Sequence, residues 1–285
     1  MSSSMSATVS VDLRVEPIEG VLGEVERSLQ TRLDRGTLVR KRRSLGARTD
    51  RDTWVRIERR RFEKIGSQGW NGTECAALLE GIVKPPWHRA IVWRQPGDAV
   101  MWRADETDLL PGAPIGSSVL VADPELPDEW WQALNTSMDA LAVQHTRRVA
   151  TPDTVTITQS GVAEAVRRFL PGGVDTTVST WWPAHADLNW ANMTGPEFSL
   201  FDWEDWGMAP QGLDAASLWG NSLAVPALAE RVRHERRRDL ETRDGRLMTL
   251  FTCAKILAPD AHPEDPRLGP ARQMSAQITA DLQKD

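Results

Sequence analysis

His185-Ala-Asp-Leu-Asn-Trp-Ala-Asn192 (HADLNWAN), followed by MTGPEFSLFDWEDWG at residues 193–207, is the stretch on which the reading of this chain turns. A histidine, two asparagines and several carboxylates crowd into it, which is compatible with a solvated loop, a metal site or a catalytic centre. Spacing separates these. Asn192-Met-Thr194 and Phe198-Ser-Leu-Phe201 flank the turn Gly195-Pro-Glu197, a short hairpin signal. A hairpin folds its ends together, so Asn192 and Asp202 are expected side by side, with Asp187 on the loop just before the first strand. Two oxygen-bearing side chains at a hairpin base suit Mg²⁺, which takes one or two protein carboxylates and fills its octahedron with water and substrate phosphates. One His without a nearby Cys is a poor donor set for zinc. Asp187 is placed to accept a proton from a substrate hydroxyl, as phosphoryl transfer to an alcohol requires.

These residues resemble a known pattern. The catalytic loop of protein kinases reads H-R-D-L-x-x-x-N, and His185-Ala-Asp187-Leu188-x-x-x-Asn192 matches it at every fixed position except the Arg. Asp202-Trp203-Glu204, then Gly207, then Asp214-Ala-Ala follow in the order seen in aminoglycoside phosphotransferase-like and choline kinase-like proteins. The resemblance is carried by residues 181–220. It implies that Asp187 is the catalytic base, that Asn192 and Asp202 hold Mg²⁺ on the phosphates of ATP or GTP, and that His185 braces the loop. It also implies that Asp214 accepts backbone hydrogen bonds that hold the loop. Glu204 and Asp205 are open between supporting the metal site and plain surface. The implied fold is α+β and protein-kinase-like, in two lobes.

The rest of the chain is read against that expectation. Val21, Leu22, Val25, Leu29 and Leu33 have helical spacing. GTLVRKRRSL (36–45) and TWVRIERR (53–60) read as strands around a polar turn, and GWNGTECAALLEGI (69–82) reads as a helix opening near Asn71 or Thr73. HRAIVWRQ and DAVMWRADE read as strands joined at Gln95-Pro-Gly-Asp98. The expected organisation is a small antiparallel nucleotide-binding lobe with one helix (1–103), a Pro/Gly-rich acidic linker (104–117) and a mostly helical catalytic lobe (118–285). In the small lobe a nucleotide needs a cation and a partner carboxylate. Arg56 in Trp54-Val-Arg56-Ile57 stands where a kinase has Lys, with Glu74, or else Glu80, as its partner. The phosphate-covering loop is represented by Gly46 alone, with backbone amides of residues 44–49 around it. The segment that reads the base is placed near Met101 to Arg103.

Composition excludes several classes. A net charge of −6 with 26% charged residues gives no support for a nucleic-acid binder. Two distant cysteines make no disulfide framework and favour a reducing cytoplasm. The N-terminal residues lack the pattern of a signal peptide, residues 1–10 carry no ordered pattern, and no apolar run is long enough to span a membrane. Residues 31–64 hold thirteen Lys or Arg against five acids, read either as solvated strand faces or as a field for an anion.

The expected function is transfer of a γ-phosphate to the hydroxyl of a small molecule. An acidic, aromatic acceptor pocket would draw on the acids at 105–108 and 204–205 with Trp203, Trp206 and Trp219. One alternative is a Ser/Thr kinase for a ribosomally made precursor peptide in natural-product biosynthesis, with the basic stretch receiving the leader. Another is a non-catalytic pseudokinase that binds a partner protein. Intact Asp187, Asn192 and Asp202 speak against the latter.

Overall fold

The computed structural model describes residues 12–66, 68–94, 99–170 and 173–284; the N-terminal ten residues and the turn at Gln95–Asp98 considered above lie outside them. The described chain forms two compact units. One runs up to Ala77 and resumes over Pro85–Leu109; the other takes Leu78–Lys84 and the chain from Leu110 onward.

The first unit is a helix on a sheet. Helix α1 (Glu19–Leu29) buries Val21, Leu22, Val25 and Leu29 against Leu45, Ala47, Val55, Ile57 and Ala104 of the sheet. The helix stops at Gln30, which turns into the left-handed region at φ 48°. Leu33, expected on its last turn, is buried instead by bridging to Thr49. The single strand expected over 36–45 is two, β1 (Val39–Arg40) and β2 (Ser44–Arg48), closed by the amide of Lys41 donating to the Ser44 carbonyl. Then come β3 (Thr53–Arg61), a short helix α2 (Gly72–Ala76), β4 (Trp87–Trp93) and β5 (Val100–Asp108). The five strands are antiparallel in the order β1-β2-β3-β5-β4.

Three expectations fail in this unit. Gly46 is not on a loop: it sits mid-β2, where a Cβ would come within 2.3 Å of the Trp54 ring. A close-packed indole therefore explains this glycine. Gly46→Ala is expected to cost about 1–3 kcal/mol by overpacking, measured by urea denaturation; an unchanged midpoint would remove the packing role. Second, Met101 does not follow the last strand but lies near the start of β5, paired with Arg60. Third, residues 104–108 are no linker; they are the second half of β5, and their charges are used inside the sheet. Arg89 and Thr53 bind Glu106, and the Trp87 indole binds Asp105.

The second unit is mainly helical. Strand β6 (Ala113–Pro114) precedes α3 (Asp128–Ala142) and α4 (Gln159–Phe169). Thr158 caps α4, accepting from the Gly161 amide at 3.0 Å. Strands β7 (Trp181–Ala184), β8 (Thr194–Gly195) and β9 (Gly207–Pro210) follow, with β6 pairing β8 and β7 pairing β9. Helices α5 (Leu213–Ser222), α6 (Pro226–Glu235), α7 (Arg237–Leu240), α8 (Arg243–Ile256) and α9 (Leu268–Leu282) complete the chain. The helical run over 226–241 breaks at Arg236. This buried guanidinium reaches Asp239 at 2.8 Å and Asp139 at 3.0 Å. Among the described residues no helix is long and apolar enough to cross a membrane.

Candidate active site

The site is built on the two strand pairs of the helical unit. β7 ends at Ala184, one residue before His185, and β9 begins at Gly207, so their pairing brings the two ends of the 185–206 segment together. Inside it, the expected hairpin forms. The Thr194 amide donates to Ser199 and the Phe201 amide to Asn192, both through backbone carbonyls. That places Asn192 beside the residue preceding Asp202.

Aromatic packing fixes this segment from below. Trp190, fully buried in the middle of HADLNWAN, stacks on Trp130 of α3 with centroids 6.0 Å apart. Its indole N–H donates to Ser222 of α5 at 3.0 Å. The Trp130 indole donates to the Thr194 carbonyl at 2.7 Å. The buried tryptophans thus hold the loop by apolar area and each spends its one donor on a named acceptor.

Polar contacts then orient the catalytic candidates. Asp214, in the first turn of α5 and 6% exposed, accepts the amides of His185 at 2.6 Å and Ala186 at 2.8 Å. Those bonds hold Ala186 in the left-handed region at φ 69°, a conformation that costs a residue with a side chain about 1–3 kcal/mol. His185 is completely buried, and its Nε2–H donates to the Phe201 carbonyl at 3.0 Å. Nδ1 faces the Asp187 amide at 3.4 Å, so both ring nitrogens are engaged. An edge-to-face contact with Trp203 at 4.7 Å completes its surroundings. The histidine ties the Asp187 loop to the Asp202 segment.

Asp187 receives two amides, Asn189 Nδ2 on Oδ1 and Asn192 Nδ2 on Oδ2, each at 2.9 Å. Burial pushes its carboxyl above the ordinary value and the charge of Asp202 pushes it further up, while the hydrogen bonds from Asn192 and Asn189 pull it back. Asp187 and Asp202 are therefore within electrostatic reach of each other. Asp202 has a left-handed backbone, φ 69°, like Ala186. Asp202 and Asn192 offer a carboxylate and an amide oxygen, donors of the kind that a magnesium ion takes.

In the sheet unit the expected pairing of Arg56 with Glu74 does not form. Arg56 contacts Glu58. Glu74 instead meets Arg103 of β5 at 3.2 Å. Arg103 is 6% exposed and also bonds Asp105 through Nε at 2.6 Å. The reason is register: Arg56 pairs with Asp105 across β3–β5, and Arg103 is two residues away on β5. Sequence reading passed over Arg103 as an ion-pair partner because its carboxylates lie on other elements. Arg103→Met is expected to cost about 3–5 kcal/mol by leaving the largely buried Asp105 unpaired. Glu74→Gln, at a half-exposed site, is expected to cost less than about 1 kcal/mol. Equal losses in urea denaturation would overturn this assignment.

The acceptor pocket sketched from sequence does not survive. Trp203, Trp206 and Trp219 are core residues, 2–3% exposed. Asp105 and Glu106 are bound within the sheet, Asp108 meets His88 at 2.6 Å, and Asp205 accepts from Thr151 at 2.6 Å. The basic stretch is largely consumed as well. Arg35 bonds Glu26, Arg40 the Leu13 and Glu16 carbonyls, Arg48 Asp52 and Arg51 the Leu29 carbonyl. The cations at Lys41–Arg43 on the β1–β2 turn stay exposed.

No family model matches the chain, and no curated protein is similar to it in sequence. Solved structures are. Aminoglycoside phosphotransferase APH(4)-Ia superposes with a TM-score of 0.54 at 10% identity, covering 94% of this chain and 98% of that one. APH(2")-IIia, solved with GDP and kanamycin, gives 0.53 at 12% identity over 94% and 98%. APH(2")-IIa, solved with streptomycin and ATP, gives 0.50 at 11% over 87% and 93%. At such identity the likeness speaks for the backbone: this chain has the two-lobed, protein-kinase-like α+β fold found in the aminoglycoside phosphotransferases.

Proposed function

We propose that this protein transfers the γ-phosphate of ATP or GTP to a hydroxyl of a small molecule, with Asp187 as the base. The observation that carries the reading is the state of Asp187. It is a half-buried carboxylate, raised above its ordinary pKa, its oxygens aimed by Asn189 and Asn192. It stands beside Asp202 in a fold whose solved relatives include complexes with AMP-PNP and hygromycin B, and with GDP and kanamycin. A base for an alcohol must be ionised, oriented and partly desolvated, and its pKa should move towards the working pH.

In this reading Asp187 orients the acceptor hydroxyl and takes its proton as the oxygen attacks phosphorus. Asn192 and Asp202 would hold Mg²⁺. Asn192 spends its amide nitrogen on Asp187, which leaves its Oδ1 to face a cation. A magnesium ion bound there would neutralise charge on the nucleotide phosphates. Catalysis of this kind rests on positioning and electrostatics more than on covalent chemistry, which fits the effort this chain spends on fixing one loop.

The test is thermal unfolding with Mg²⁺-ATP and with Mg²⁺-GTP, each also with the metal chelated. Nucleotide at a hundredfold excess over its Kd is expected to stabilise the native state by about 2.7 kcal/mol. The shift should require the metal and shrink in Asp202→Asn. No shift with either nucleotide at millimolar concentration would overturn the proposal, and a shift unaffected by Asp202→Asn would remove Asp202 from the metal site.

A further inference from the structure

The helical unit contains a cavity that the catalytic loop does not use. It measures about 380 Å³ and lies where α5, α6, α7, α8 and α9 converge. None of His185, Asp187, Asn192, Asp202 or Asp214 lines it. Its size is at the small end of ligand-binding cavities, which run from roughly 300 to 1,000 Å³.

Its lining has two characters. Trp219, Leu240 and Ile278, all nearly inaccessible, give an apolar wall. Charged groups supply the rest, and most are already matched. Asp281 pairs with Lys284 at 3.1 Å, Glu241 with Arg237 at 3.9 Å, and Arg246 donates to the Glu241 carbonyl at 3.0 Å. Arg233 differs. It is half-buried at the cavity, and its side chain makes no hydrogen bond, ion pair or ring contact with any described residue. Its guanidinium nitrogens keep some contact with solvent, so they are open to a ligand, and no carboxylate among the described residues pairs with them beside the apolar wall. Its planar donor fork fits a carboxylate in bidentate fashion.

We propose that this cavity binds a small organic carboxylate with an apolar body, its carboxylate on Arg233 and its hydrocarbon part against Trp219, Leu240 and Ile278. One unmatched cation calls for one negative charge, so a monocarboxylate fits better than a phosphate dianion. The same positive charge repels a polycationic aminoglycoside, so this is not the acceptor site. Trp219 shares α5 with Asp214, five residues earlier, so the wall of this cavity and the anchor of the catalytic loop belong to one helix.

The experiment is isothermal titration of the full chain with 4-phenylbutyrate and with 4-phenylbutan-1-ol, which has the same body without the charge. The acid should bind saturably and at least about tenfold more tightly than the alcohol, the gain of one charge-assisted bidentate contact. Arg233→Gln should reduce the acid to the affinity of the alcohol. Gln277→Trp, placed on the exposed face of α9 at the same cavity, should block both ligands without touching the core. Equal affinities for acid and alcohol, an Arg233→Gln variant within about threefold of the parent, or no saturable binding of the acid up to roughly 10 mM would each overturn the proposal. Nucleotide binding is not read in this titration, so its outcome is separate from that of the phosphotransfer reading.

Discussion

Asp187→Asn is expected to lower kcat by about 10²–10⁴, the range carried by a positioned general base, while nucleotide affinity stays within a few-fold of the parent. The substitution keeps the shape of the side chain and its contacts on one oxygen. It removes the charge that accepts the acceptor's proton. A variant within about threefold of wild-type kcat would remove Asp187 as the base. The pH profile gives a second reading of the same group. Burial raises the Asp187 carboxyl above the ordinary aspartate value of 3.8. A base is active when ionised, so kcat/KM should fall on the acid side with a midpoint above that value, and lose that limb in Asp187→Asn. Asn192→Ala removes one hydrogen bond to the carboxylate and should therefore raise the midpoint of that limb.

Asp214→Ala is expected to be the most destabilising substitution in the loop. It strips the acceptors from two buried amides, those of His185 and Ala186, at 2.6 and 2.8 Å. Each unsatisfied buried donor costs about 1–3 kcal/mol, so the loss should be about 2–6 kcal/mol in urea denaturation. Asp214→Asn retains one carbonyl acceptor and should lose roughly half as much. Because Ala186 holds a left-handed backbone only while its amide is tied, the folded fraction of Asp214→Ala should also show a lower kcat, Asp187 being one residue further on. A loss under about 1 kcal/mol would show that the loop is held by the Trp190–Trp130 packing alone.

The helical unit was more legible than the sheet unit, and the reason is range. His185, Asp187, Asn192, Asp202 and Asp214 lie within thirty residues. Their arrangement is set by one hairpin, one strand pair and one helix start, each with a local signature in turn residues and hydrophobic spacing. The mostly helical character of residues 118–285 was legible for the same reason: 3.6-residue periodicity is a local property. Glu74 and Arg103 are 29 residues apart, and nothing in either neighbourhood marks them as partners. The expected Arg56–Glu74 pair failed because two arginines stand on adjacent strands of the sheet and only register decides which one meets α2.

Gly46 shows the same limit from another side. A lone glycine before a polar turn suggests a loop, whereas its place against the Trp54 ring is a matter of packing between β2 and β3. Residues 104–108 looked like a linker because they are acidic. Arg89, Arg103 and Thr53, brought alongside by strand pairing, turn those acids into interior partners. By itself the sequence determined the order and identity of the groups around Asp187 and the α+β class through short-range spacing, and its resemblance to the kinase catalytic loop implied the kinase-like fold. The tertiary structure alone decided which charges neutralise each other, which tryptophans are core and which cation, Arg233, is left facing a cavity. Ion pairing and burial depend on what the fold brings within a few ångströms, and spacing along the chain does not encode that distance.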